Sequence, residues 1–103
     1  MNKKYKVQYS PLFYEDLERI IDYIKNELRN KKAAEELVDE IMKEIERRKQ
    51  FPKDYEEYIS NRKRKDIYYR IYVNNYVIFY VVKDEYIEIR RILYSKRNFE
   101  NFL

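Results

Sequence analysis

The residue pattern predicts a small α+β domain in the order β-α-α-β-β-β, with a twisted antiparallel sheet packed against an N-terminal antiparallel helical hairpin. Three features point there. The first half of the chain carries two apolar stripes at helical spacing, the second half carries three runs rich in β-branched and aromatic residues, and the breaks between those runs are short enough for hairpins. At 103 residues the chain is expected to form one domain over 1–103, long enough to bury a core of its own.

The first strand is expected over 4–9, where Tyr5, Val7 and Tyr9 alternate onto one face. Ser10-Pro11 follows, a favoured N-cap and a favoured first helical residue, so a helix should start at Pro11. Its stripe is Phe13, Leu17, Ile20, Ile24 and Leu28, with Glu15, Glu18, Asp22 and Lys25 on the other face. Asn30 caps a second helix over 31–49 whose inward face is Ala34, Leu37, Val38, Ile41 and Ile45, and the link between the helices forces an antiparallel hairpin. Phe51-Pro52 ends it, because the residue before proline avoids helical geometry.

Residues 53–66 read as a polar connector ending in Arg62-Lys63-Arg64-Lys65. Strands follow over 68–73, 76–82 and 86–94, the first two joined by Asn74-Asn75, a two-residue turn with Asn in the place of the usual Gly. The tail 95–103 is expected to pack loosely.

Composition narrows the chemistry. The chain has no Gly, Cys or His, which excludes Gly-rich phosphate loops, zinc fingers, thiol nucleophiles, disulfides and imidazole acid–base catalysis. No cofactor is expected. Thirteen tyrosines offer apolar bodies with polar tips, suited to the edge of a core. No secretory leader or membrane-length apolar run is legible, so the expected location is the cytoplasm, with no membrane partner. Residues 1–60 hold 13 basic and 14 acidic residues and residues 61–103 hold 10 and 5, so the basic surplus lies in the second half, as suits a polyanion or an acidic partner. The helical carboxylates read as solvated, with pairs such as Asp39–Lys43 at i,i+4. Arg90 and Arg91 are adjacent strand residues and should point to opposite faces, Arg90 beside Arg70 on an open sheet face and Arg91 toward a carboxylate at the core edge.

Four segments, in series over nearly the whole chain, carry a resemblance: "YKVQYSPLFYEDLERIIDYI", "AAEELVDEIMKEIERRKQFP", "YYRIYVNNYVIFYVV" and "IEIRRILYSKRN". Together they resemble the RelE/ParE superfamily of type II toxins. The resemblance implies a toxin silenced by a cognate antitoxin, and one of two activities: RelE-like members cut messenger RNA on the ribosome without a metal, whereas ParE-like members poison DNA gyrase. On the first reading the chain is a ribosome-dependent mRNA endoribonuclease. Arg70 and Arg97 then stabilise the developing phosphorane charge, and Tyr94 serves as acid, base or stacking platform. Lys63, Lys65 and Arg90 contact RNA. On the alternative reading it is a gyrase inhibitor without catalysis, or a degenerate toxin that only binds antitoxin. Two departures bear on the choice: Val77 stands where some nuclease members carry a second strand Arg, and no His stands at Tyr94. The bland readings are that the charge run is a solvated loop, that Arg70 is an ordinary exposed strand residue, and that Tyr94 is structural. The antitoxin is expected on the open sheet face and the flank of the helical hairpin.

Overall fold

The computed structural model describes residues 4–60 and 64–103. The elements run β1 (Lys6–Tyr9), α1 (Pro11–Asp22), a π-helical turn (Tyr23–Glu27), α2 (Lys31–Arg48), β2 (Tyr69–Val73), β3 (Tyr76–Val82), β4 (Tyr86–Tyr94) and a 3-10 turn (Phe99–Asn101). The α+β class and the order β-α-α-β-β-β are those the sequence predicts. β2, β3 and β4 form the expected antiparallel meander. The sheet is nevertheless mixed. Its order is β1-β4-β3-β2, and β1 lies parallel to β4, because α1 and α2 carry the chain back across the sheet before β2 begins.

Local chemistry sets the boundaries. The Ser10 hydroxyl accepts from the Phe13 N–H at 3.2 Å and Pro11 occupies the first helical position, so α1 starts where its cap dictates. The Asn30 side chain accepts from the Ala33 N–H at 3.0 Å and caps α2 in the same way. Without glycine, the left-handed positions fall to Arg29 (φ 50°) in the helix–helix link and Asn74 (φ 51°) in the hairpin turn. Leu28 leaves the stripe and is exposed. The π turn holds one more residue per turn than an α turn, so Leu28 falls behind the face set by Phe13 and Ile24.

Two apolar clusters flank the sheet. Phe13, Ile24, Ala34, Leu37, Ile41 and Ile45 meet Tyr69, Ile71, Ile78, Tyr80, Ile87 and Ile92 on the helix side. The opposite face was expected to be open, but it carries the second cluster. Val77, Phe79, Val81 and Leu93 are buried there, with Tyr58 from the connector and Phe99, Phe102 and Leu103 from the tail packed against them. Phe79 stands at the centre, its ring centroid 4.9 Å from that of Phe99 and 5.4 Å from that of Tyr58. Neither the described part of the connector nor the tail is loose. Glu57 bridges Tyr69 at the rim of β2, and Arg64 bonds Glu100 at 2.6 Å, tying connector to tail. Apolar residues in segments without periodicity found each other across the sheet, a long-range match that local pattern does not encode.

The helical carboxylates are not all solvated. Asp16 on α1 is 4% exposed. Its oxygens accept from Arg91 Nε at 2.7 Å, Arg91 Nη2 at 2.8 Å and the Ile92 backbone N–H at 3.2 Å. The expected Asp39–Lys43 pair is replaced by Lys43 with Glu40, one residue closer. Arg91 does meet a carboxylate at the core edge, but it pairs with Phe79 of the second cluster and contacts Phe102 on the same side as Arg90, so it reaches Asp16 around the strand edge rather than by the alternation expected.

We expect Asp16→Ala to destabilise the fold by about 3–5 kcal/mol, because it strands a mostly buried guanidinium and an edge N–H at once. Urea unfolding checks this as a lower midpoint with an unchanged slope. Removing both charges in Asp16→Leu/Arg91→Met should recover most of the loss, since the desolvation penalty disappears with the pair. A double variant no more stable than Asp16→Ala would show that the ion pair is not what holds α1 to β4.

Candidate functional site

The only antiparallel irregularity in the meander lies where β4 passes Phe79. Phe79 pairs with Arg91 while Tyr80 pairs with Ile89, so Arg90 is an extra residue on β4, a β-bulge. Before the bulge, β4 is covered along its outer edge by β1, whose register ends at Tyr9 opposite Ile89. Beyond it the edge is uncovered. Ser10 turns the chain into α1, its N–H bonded to the Ile89 carbonyl at 2.9 Å and its hydroxyl to the Arg90 carbonyl at 2.7 Å.

A cleft of about 480 Å³ opens along this bare edge. Asp16, Arg19, Ile20 and Tyr23 line it from the helix side, Arg91 to Tyr94 form its floor, Tyr76 closes one end, and Arg97 and Phe102 line it from the tail side. The π turn begins at Tyr23, so the helix distorts where it lines the cleft. Burial pushes the Tyr76 phenol above its ordinary value, with Tyr23 and Tyr94 adding to the rise, so Tyr76 remains a neutral hydroxyl at neutral pH. The Arg97 guanidinium stacks 5.1 Å from the centre of the Phe102 ring.

Of the residues singled out from sequence, Tyr94 and Arg97 share this cleft. Arg70 does not join them. Tyr69 and Ile71 turn to the helices, which leaves Arg70 on the other face, and β3 separates it from β4. It pairs with Glu56, bonds the Glu57 carbonyl, and lies 5.7 Å from the Tyr58 and Tyr72 rings. Its Nε is buried with no partner among the described residues. Arg90 also stands on the opposite face. It is held by Asp66 at 3.0 Å, by Glu88 and by the Tyr68 hydroxyl at 3.0 Å, with Lys83 on the same Asp66 carboxylate. Lys65 is exposed, whereas Arg64 of the same run is bound to Glu100. Lys63 lies outside the described residues.

Sequence reasoning missed Arg19, Tyr23 and Tyr76 as cleft residues. A faint signal existed for Tyr23: an aromatic off the apolar stripe, on the face otherwise given to charged residues. No cluster of metal-ligating side chains occurs among the described residues, and no described helix is long and apolar enough to cross a membrane.

The comparisons agree with this architecture. Residues 7–99 match the family model for the ParE toxin of the type II toxin–antitoxin system parDE. Among solved structures, the chain resembles one from the chromosomal ParDE TA system of P. aeruginosa, with 17% identity, 90% of this chain and 98% of that chain covered, and a TM-score of 0.73. A RelB-RelE antitoxin–toxin complex from Methanococcus jannaschii gives 22% identity over 92% of this chain and 98% of that chain, with a TM-score of 0.48. No curated protein sequence matches the chain.

The Asp66 cluster gives a pH signature. The hydrogen bond from Lys83 holds the Asp66 carboxyl below the usual aspartate range, and Arg90 adds to the effect against the opposing influence of burial. A carboxyl depressed in the folded state contributes stability above its unfolded pKa and loses it as pH falls through the folded one. The stability gap between the protein and Asp66→Asn should therefore be constant from neutral pH down to the ordinary aspartate range, then close on further acidification. Chemical denaturation across that range measures it, and a gap that persists at the acid end would remove Asp66 as its source.

Proposed function

The chain belongs to the ParE toxin family of type II toxin–antitoxin systems, and from that premise we propose that it acts by binding, as a gyrase inhibitor with no catalysis of its own, neutralised by a cognate antitoxin. One observation carries the choice: Arg70 and Arg90, two of the cations the nuclease reading invokes, do not converge with Arg97. Arg70 and Arg90 lie on the opposite sheet face and are already engaged by Glu56, Glu88 and Asp66. Transition-state stabilisation needs donors aimed together at one developing charge, and cations neutralised in separate ion pairs do not supply it. Val77, at a position basic in some nucleases, is fully buried under Phe99 and its neighbours, where a charge has no solvent and no partner. The antitoxin part of the reading rests on the family. It is supported by the ParDE likeness of the fold.

The nuclease reading retains one favourable observation, the sharing of the cleft by Tyr94 and Arg97. There the phenol hydroxyl would move the proton and Arg97 would hold the phosphate, with Lys65 as an outlying contact. It leaves Arg97 as the cleft arginine not paired with Asp16, since Arg91 and Arg19 both bond that carboxylate, and no imidazole stands beside it.

Two assays on the same preparation separate the readings. Purified protein should inhibit gyrase supercoiling while messenger on translating ribosomes stays intact. Arg97→Ala should raise the half-inhibitory concentration by about 5–30-fold, the range of an interface arginine worth roughly 1–2 kcal/mol, whereas Arg70→Ala should leave it nearly unchanged. Cleaved messenger beside normal supercoiling, abolished by Tyr94→Phe, would move the chain to the nuclease class.

A further inference from the structure

We propose that the tip of the helical hairpin, residues 25–32, docks on the toxin's target, at an acidic protein surface with a pocket for one aliphatic side chain. The inference rests on the gyrase reading above and names the part of the toxin that gyrase meets.

The backbone at the tip is built to turn side chains outward. The Leu28 N–H donates to the Tyr23 carbonyl at 3.1 Å and the Asn30 N–H to the Ile24 carbonyl at 3.0 Å, both wider loops than the four-residue spacing of an α-helix. The wider turn carries Leu28 off the apolar stripe and leaves it 57% exposed. Arg29 then takes a left-handed φ of 50°. This is the position that ends a helix, where glycine is favoured and asparagine tolerated, and a long side chain with a Cβ is held there at a cost. Yet the Arg29 side chain makes no hydrogen bond or ion pair among the described residues. A strained residue whose side chain serves nothing inside the fold points to a contact outside it.

Charge says what that contact is. Residues 25–32 hold Lys25, Arg29, Lys31 and Lys32 against Glu27 alone, a basic island in a half of the chain where acids otherwise outnumber bases. Every residue of the tip is exposed. Lys32 lies 4.0 Å from Glu36, whereas Lys25, Arg29 and Lys31 reach no carboxylate among the described residues. Unpaired cations draw in and orient an acidic partner, and a leucine among them is stabilised only by leaving water for an apolar pocket. A nucleic-acid backbone would use the same cations and leave Leu28 in solvent. Tyr23 opens the wide turn and also lines the cleft, so the tip and the cleft wall belong to one helical element and can meet one target together.

The test is supercoiling by gyrase holoenzyme in the presence of the full chain, read as the half-inhibitory concentration at low and high salt. Leu28→Ala should raise it by about 5–30-fold at both salts. Lys25→Glu/Lys31→Glu should raise it by about tenfold or more at low salt and by less at high salt. Arg29→Gly should weaken inhibition by about two- to fivefold while raising the urea midpoint, because glycine relieves the left-handed position; a residue kept for the fold alone would not set the two readouts against each other. Lys6→Glu, the same charge change on the exposed face of β1, should stay within about twofold. Wild-type potency in both Leu28→Ala and the lysine pair, or an equal loss in Lys6→Glu, would overturn the inference and leave the gyrase reading standing. Loss confined to the lysine pair would place a polyanion, such as gyrase-bound DNA, at the tip, and loss confined to Leu28→Ala would remove the acidic partner; either overturns the surface proposed. No inhibition by the unaltered protein overturns the gyrase reading and this inference with it.

Discussion

A single carboxylate closes the fold. Asp16 bonds the Arg91 guanidinium through both oxygens and also takes the N–H of Ile92. It joins the first helix to the last strand across 75 positions of sequence. Burying an aspartate is unfavourable unless every lone pair is met, and here Arg19 adds a further donor at 3.0 Å. The position of α1 on the sheet follows from it. The β-bulge lies beside it: Arg91 reaches around the strand edge while Phe79, its partner on β3, stays in the second cluster. The same guanidinium donates to the Phe102 carbonyl at 2.9 Å, so helix, strand and tail meet on one residue.

From that junction the two faces of the sheet acquire different roles. One is a conventional core under two helices. The other is a thinner apolar layer in which Tyr58 of the connector and the tail cover the sheet, locked to each other by Arg64 and Glu100. At the far end, Arg48 bonds the Arg70 carbonyl and the Tyr80 hydroxyl, stacks 3.6 Å over Tyr55, and the Tyr80 hydroxyl donates to the Pro52 carbonyl at 2.7 Å. Tyrosine is used here as a ring that packs and a hydroxyl that reaches the backbone, which explains its abundance in a chain without tryptophan.

What was legible in the sequence follows the range of the interaction responsible. Ser10-Pro11, Asn30 and Asn74-Asn75 act within a turn of themselves, and each did what its chemistry predicts. The strands over 76–82 and 86–94 matched to the residue because alternation and turn agreed. The parallel pairing of β1 was hidden, since nothing within residues 4–9 distinguishes one neighbour from another. Asp16 was hidden more deeply: on a helix wheel it is one more acid among Glu15, Glu18 and Asp22. Tyr94 and Arg97 are three residues apart and their shared cleft could be anticipated. The separation of Arg70 from them is a matter of strand parity and of β3 standing between, which a family alignment of positions does not convey. Phe99, Phe102 and Leu103 gave no periodic signal, so their coverage of the sheet was illegible too.

The strand that occupies the second place in the sheet, between β1 and β3, is the last of the four to be synthesised. β1 waits without its only partner until residues 86–89 exist, and Asp16 waits for Arg91. On the ribosome the early helices can form, but the sheet cannot be completed until β4 has emerged. Folding is thus gated by the appearance of residues 86–94. The cleft comes into being only with the same late strand that lines it.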